Sequence, residues 1–182
     1  MSNQTTRQIL NKKSMSRVLS RIAHEIMERN HGASDLAIIG IRRRGDWLAK
    51  RLAEIINRVE DVSLPVGALD INLYRDDFQS HAAQPIVRVS EIPFEVEGRT
   101  IILVDDVLFT GRTIRAALDE LKDFGRARRI QLAVLINRDG RELPIQADYI
   151  GEDVDIGPEE IVVVHVQEVD DEDHVLVERV TR

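Results

Sequence analysis

The sequence predicts an α/β fold with a mainly parallel central sheet flanked by helices. Near-continuous apolar runs at 36–41, 101–104 and 130–136 read as strands covered on both faces. Amphipathic stretches at helical spacing alternate with these runs. Each run breaks into polar or charged residues, which in an open parallel sheet lie where ligands bind, beyond the carboxyl ends of the strands.

Along the chain, residues 15–29 place Met15, Val18, Leu19, Ile22 and Ile26 on one helical face, and Asn30, His31 and Gly32 end the helix. The 36–41 strand, LAIIGI, runs into Arg42, Arg43, Arg44 and Gly45. A second helix over 46–58 then buries Trp47, Leu48, Leu52, Ile55 and Ile56. Residues 67–74, GALDINLY, alternate as a strand, and 75–90 begin as a polar, irregular loop or hairpin. The 101–104 strand is followed at once by Asp105 and Asp106, then by the small-residue turn of Thr110, Gly111, Arg112 and Thr113. A helix with Ile114, Ala117, Leu118 and Leu121 on one face comes next, ended by Phe124 and Gly125. The 130–136 run is a central strand ending in a 137–141 loop. Strands are also expected at 148–150 and 161–166, with 176–180 pairing near an edge.

The chain has 182 residues, with neither internal repeat nor linker-like tract, and is expected to form one domain over 1–182. It has no cysteine, which removes disulfide and thiolate chemistry and fits a reducing compartment. No apolar run approaches a membrane span and no secretory h-region opens the chain, so the expected location is the cytoplasm. A formal net charge of −7 argues against a general nucleic-acid coat. The charge is uneven, however. Cations cluster before Arg58, and acids such as Glu152, Asp153, Glu168 and Asp170–Asp173 crowd the C-terminal part.

Three loops, 42–45, 105–113 and 137–141, are expected to converge. Adjacent carboxylates repel and are costly to bury unpaired, so Asp105 and Asp106 call for sugar hydroxyls, a divalent cation or arginines. Sugar hydroxyls together with Mg²⁺ shared with substrate phosphate fit best, although a helix-dipole acid cluster explains a bare acid pair about as well. Gly111 admits close backbone approach to an anion, and the Thr110 and Thr113 hydroxyls and loop amides can donate to one phosphate at a helix N-terminus. An ordinary N-cap explains the Thr–Gly pair alone, but not its place after two acids. The arginines after the first strand suit a second phosphate group, although taken alone they read as a solvated basic turn.

The segment ILVDDVLFTGRT (102–113) resembles the 5-phosphoribosyl 1-pyrophosphate motif of type I phosphoribosyltransferases. RIAHEIMERN (21–30), GIRRRGDWLAKRLAE (40–54), INLYRDD (71–77) and IQLAVLINRDGRELPIQADYIGE (130–152) resemble the PyrR family of bifunctional pyrimidine-operon regulators and uracil phosphoribosyltransferases. The resemblance spans nearly the whole chain and fades after Asp77 and in the acidic tail. It implies the type I phosphoribosyltransferase fold, with a flexible loop and a small hood. It implies transfer of phosphoribose from phosphoribosyl pyrophosphate to uracil, giving UMP and pyrophosphate with Mg²⁺. By position, Asp105 and Asp106 would bind the ribose hydroxyls. Val107, Leu108, Phe109, Thr110, Gly111, Arg112 and Thr113 would hold the 5′-phosphate. Arg42 and Arg43 would form the pyrophosphate loop, and Arg75 would belong to the flexible hood. Asn137 and Arg138 would lie near the uracil pocket, with Arg138 counted beside the two acids as catalytic. The resemblance also implies UMP-sensitive binding of pyrimidine-operon leader mRNA by a homodimer or homotetramer, through Ser20, Arg21, His24 and Arg141. Three positions depart from the family's basic residues: Gly140 replaces a histidine, Gln146 an arginine and Glu152 a lysine.

Overall fold

A computed structural model of the chain describes residues 6–71 and 90–180. The order of elements is β1 (Arg7–Asn11), α1 (Lys12–Arg29), β2 (Leu36–Ile41), α2 (Gly45–Glu60), β3 (Val66–Leu69), β4 (Thr100–Leu108), α3 (Arg112–Leu121), β5 (Arg129–Arg138), β6 (Tyr149–Val154), β7 (Glu160–His165), α4 (Gln167–Asp170) and β8 (His174–Arg179). Five strands form a parallel sheet in the order β3-β2-β4-β5-β6. The chain leaves β2 towards β3 on one side, and the sheet grows from β4 on the other. The carboxyl ends of β2 and β4 therefore flank the point where strand order reverses, where such sheets open a crevice.

The helices cover both faces of the sheet. α1 and α2 pack with Ile38, Ile102, Val104, Ala133 and Leu135 in one core. α3 packs Ile114, Ala117 and Leu121 with Ile39, Ile101, Leu103 and Val134 in the other. α1 begins three residues before its first apolar contact. Asn11 caps it by accepting from the Ser14 amide, and Ser14 returns a bond from the Asn11 amide; losing such a cap costs about 1 kcal/mol. The helix then buries Met15, Val18, Leu19, Ile22, Ala23, Ile26 and Met27, each large side chain contributing roughly 1.5–3 kcal/mol.

Several strand expectations change. β4 does not stop at Val104, because its ladder with β5 continues through Asp105↔Val134, Val107↔Ile136 and Leu108↔Asn137. The acid pair, and likewise Asn137 and Arg138, are strand residues rather than loop residues. The 176–180 segment does not border the main sheet. β8 is the middle strand of a separate three-stranded antiparallel sheet, β1-β8-β7. Alternation explains this: Val175 and Val177 of β8 and Val164 of β7 face the core, while their neighbours do not. This small sheet is the hood. The 67–74 strand is shorter than expected, ending at Leu69, and its residues 72–74 lie outside the described residues, as do Arg75 and nearly all of the expected 75–90 loop. No helix among the described residues is long and apolar enough to cross a membrane.

Candidate phosphoribosyl site

The loops after β2 and β4 meet around one open cavity of about 740 Å³. Arg42, Arg43 and Arg44 line it from one side; Asp105, Asp106 and every residue from Val107 to Thr113 line it from the other. The chain turns sharply here. A Cβ on Gly45 would lie 2.5 Å from the Val104 carbonyl oxygen, so only glycine lets the start of α2 press against β4 beside the acids. The Arg42–Arg43 peptide bond is cis. The Arg42 amide donates to the Leu69 carbonyl, tying the loop to β3.

The acid pair is held by its own backbone. Asp105 Oδ1 accepts from the Asp106 amide at 2.9 Å and Asp106 Oδ1 from the Val107 amide at 2.8 Å. The Asp105 side chain is buried and that of Asp106 half-buried. Beyond them the turn closes at Gly111, whose φ of 92° lies in the left-handed region. The Thr110 hydroxyl accepts from the Arg112 amide, and the Thr110 carbonyl accepts from the Glu142 and Leu143 amides. Arg112 is paired with Glu142 at 2.6 Å. The N-terminus of α3 thus opens onto the cavity at a turn clamped from the β5–β6 connection, an arrangement suited to an anion.

Arg44 connects this cavity to the hood. Its guanidinium makes two hydrogen bonds to Asp170, at 2.9 and 3.0 Å. The Asp170 bond holds Arg44 above the ordinary guanidinium range, burial opposes the rise, and Asp106 adds to it. Next along α2, Arg51 binds Glu168 and Asp173. Asp46, in the first turn of α2, is pushed up by burial, against the Trp47 amide and Arg42, which pull it down. Arg42 also reaches Glu91 at 3.1 Å.

The third loop takes part differently from expectation. Asn137 and Arg138 do not line the cavity, which takes Glu142 and, from the hood, Val162 instead. Arg138 is buried and lies over the Phe109 ring, 3.9 Å from its centroid, while donating to the Glu160 carbonyl. Burial pulls its guanidinium below the ordinary range, with Glu160 opposing. Arg141 turns inward, donating to the Leu108, Phe109 and Arg138 carbonyls and to Asn137 Oδ1. Phe109 also accounts for Gly140: its ring occupies the space a Cβ at 140 would need, and the Gly140 φ is 116°. On α1, Arg21 and His24 are exposed and Ser20 is half-buried. Arg21 pairs with Glu25 and donates to the Ile150 and Gly151 carbonyls, and His24 Nδ1 sits 2.7 Å from the Ser20 carbonyl oxygen.

Asp119, Glu142 and Val162 also line the cavity, and Arg44 is tied to Asp170, none of which is among the sequence-based expectations. Asp119 lies two turns into α3 on the side of Arg112 and Arg115, a spacing visible in the sequence. Val162 and Asp170 depend on how the hood docks, for which no local pattern exists.

An acid pair on a central parallel strand, a glycine-turned helix N-terminus and a facing arginine loop define a sugar-phosphate-binding α/β protein. The family model of the phosphoribosyl transferase domain matches residues 5–172. The chain is 55% identical over 170 residues to the bifunctional protein PyrR of Pelotomaculum thermopropionicum, covering 93% of this chain and 94% of the relative. It is 50% identical over 178 residues to the bifunctional protein PyrR of Halalkalibacterium halodurans, covering 97% of this chain and 99% of the relative. Among solved structures, a hypoxanthine phosphoribosyltransferase from Staphylococcus aureus superposes with a TM-score of 0.71 over 95% of this chain and 90% of its own, at 17% identity, a likeness of fold. The chain belongs to the phosphoribosyl transferase domain family and, within it, to the PyrR proteins.

Proposed function

We propose that this chain is a uracil phosphoribosyltransferase that also regulates pyrimidine genes by UMP-responsive binding of leader mRNA. The observation that carries the catalytic reading is the single cavity shared by the arginine loop, the acid pair and the α3 N-terminus. In this reading Asp105 and Asp106 accept from the ribose hydroxyls. Residues 107–113 receive the 5′-phosphate, and Arg42 and Arg43 the pyrophosphate. The bond from the anomeric carbon to pyrophosphate breaks, with its electron pair leaving on the pyrophosphate oxygen. A ring nitrogen of uracil forms the new bond and loses its proton. The chain's part is to align base and sugar and to stabilise the departing charge; no protein nucleophile is required. Asn137 and Arg138 act from behind the cavity. Arg138 fixes the Phe109 ring, and Asn137 holds Arg141 against the phosphate turn.

The donor set also fits Mg²⁺, because Asp105 and Asp106 both line the cavity and carry the carboxylate oxygens that a hard cation favours. The ion would be held mainly through substrate pyrophosphate, with these carboxylates beside it, and would supply neutralisation of the leaving group.

The test is direct. Protein, phosphoribosyl pyrophosphate, Mg²⁺ and uracil are mixed and UMP is measured; no turnover with nucleotide binding intact would refute the catalytic reading.

The regulatory half is supported by membership among proteins named bifunctional and by exposed His24 on α1, while the neighbouring Arg21 is exposed but already paired with Glu25 and the Ile150 and Gly151 carbonyls. Arg141 contributes less, since its donors are committed to carbonyls of the phosphate turn. The assembly proposed to present this face is a homodimer or homotetramer, measurable by sedimentation.

A further inference from the structure

One group of ligating side chains has no part in the cradle. β7 ends at His165 and β8 begins at His174, and the antiparallel register sets these two residues directly opposite each other. Opposed residues project from the same face of a sheet, and here the two imidazoles stack with centroids 4.4 Å apart. The connection between the strands brings Glu172 Oε2 to 3.4 Å from His174 Nδ1. One ligand atom from each of His165, Glu172 and His174 lies within 4.8 Å of the others.

A stacked pair with a surface ion pair would by itself be structural, but the geometry goes further. Ligand atoms tetrahedrally placed at ~2.0–2.1 Å from a zinc ion lie roughly 3.3 Å from one another. The His174–Glu172 pair already has that separation; the two imidazoles, stacked with 25° between their planes, must turn out of the stack to aim a nitrogen each at one ion. The His174 side chain is 14% exposed and that of Glu172 63%, so the cluster is walled on one side and open to water on the other. Two imidazole nitrogens and one carboxylate with an open position suit a borderline-soft divalent ion, whereas Mg²⁺ and Ca²⁺ favour oxygen alone. We propose that His165, His174 and Glu172 bind one divalent transition-metal ion of the Zn²⁺ class, at a site separate from the Mg²⁺ chemistry of the cradle.

The location gives the site a consequence. The two histidines bracket the excursion from Val166 to Asp173, which contains Glu172 and carries Asp170 against Arg44 and both Glu168 and Asp173 against Arg51. Asp170 also accepts from the amide of Val166, the residue next to His165. A bound ion joins the two ends of this excursion and holds the hood's grip on the arginine loop.

Tag-free protein, stripped with a chelator and kept free of phosphoribosyl pyrophosphate, is titrated with Zn²⁺ against a chromophoric competitor. The expected result is one Zn²⁺ per chain, with affinity at least tenfold weaker in His165→Gln and in His174→Gln. At free Zn²⁺ about 100 times Kd the melting temperature rises by roughly 5–10 °C in the wild type and not in the variants. Mg²⁺ gives no such rise, and Asp105→Asn with Asp106→Asn keeps the Zn²⁺ site. Glu172→Gln, at an exposed position, repeats the affinity loss should a histidine variant fold poorly. Absence of saturable Zn²⁺ binding, undiminished binding in the three ligand variants, or loss of binding in the Asp105/Asp106 variant would each overturn the proposal.

Discussion

Gly45 sets how closely the arginine loop approaches the acid pair. A methyl group there would meet the Val104 carbonyl oxygen, which belongs to the middle of a parallel sheet and has little room to move. Gly45→Ala is therefore expected to cost about 1–3 kcal/mol in stability through overpacking. Because relief comes by moving α2 away from β4, the KM for phosphoribosyl pyrophosphate should rise as well. Denaturant unfolding and steady-state kinetics on one preparation check both. At this scale the acid pair and the Thr110–Thr113 turn were legible, because they are contiguous and chemically dense. The stacking of Arg138 on Phe109, whose ring also sits where a Cβ at 140 would be, was not: it joins residues 29 positions apart through a contact made by folding.

Among the elements, α2 and α4 are joined by two-point guanidinium–carboxylate bonds. Burial raises the Glu168 carboxyl, but the Arg51 hydrogen bonds prevail and leave it below its ordinary 4.5. The folded protein thus binds this proton less readily than the unfolded chain. The stability contributed by Glu168 is present above the unfolded value and is lost as pH falls through the depressed native one. Glu168→Gln should cost about 1 kcal/mol at neutral pH, a partly exposed pair being discounted for screening. The gap between wild type and variant should stay constant above pH ~5.5 and shrink below pH ~4.5. Urea unfolding across that range measures it, and a gap that widens on acidification would contradict the pairing. The helices themselves were legible from spacing, since α1 and α2 carry a clear apolar face. Strand ends were less so: β4 and β5 prolong each other by mutual pairing, and neither segment alone records that it will continue past its apolar run.

For the whole molecule, the parallel sheet and its order of helices followed from alternation, whereas the hood did not. Its middle strand comes last in the chain and pairs with the first strand described, a closure between distant segments that leaves no local signature. The chain's net charge of −7 and the inward commitment of Arg141 bear on the regulatory function. Binding to pyrimidine-leader RNA should be tighter with UMP than without it. Its logarithmic salt dependence should be shallow, about one unit of slope for each phosphate contacted. Filter binding at several salt concentrations reads both, and an affinity no better than for unrelated RNA would dismiss that function.

The central claim is that Asp105 and Asp106 hold the reacting sugar. The most direct measurement is UMP formation from uracil and phosphoribosyl pyrophosphate by the Asp105→Asn, Asp106→Asn double variant, beside circular dichroism of the same sample. Each lost charge-assisted bond is worth about 1.5–3 kcal/mol, so kcat/KM should fall by roughly 10²–10⁴-fold while the spectrum is unchanged. Wild-type activity in the folded double variant would contradict the account.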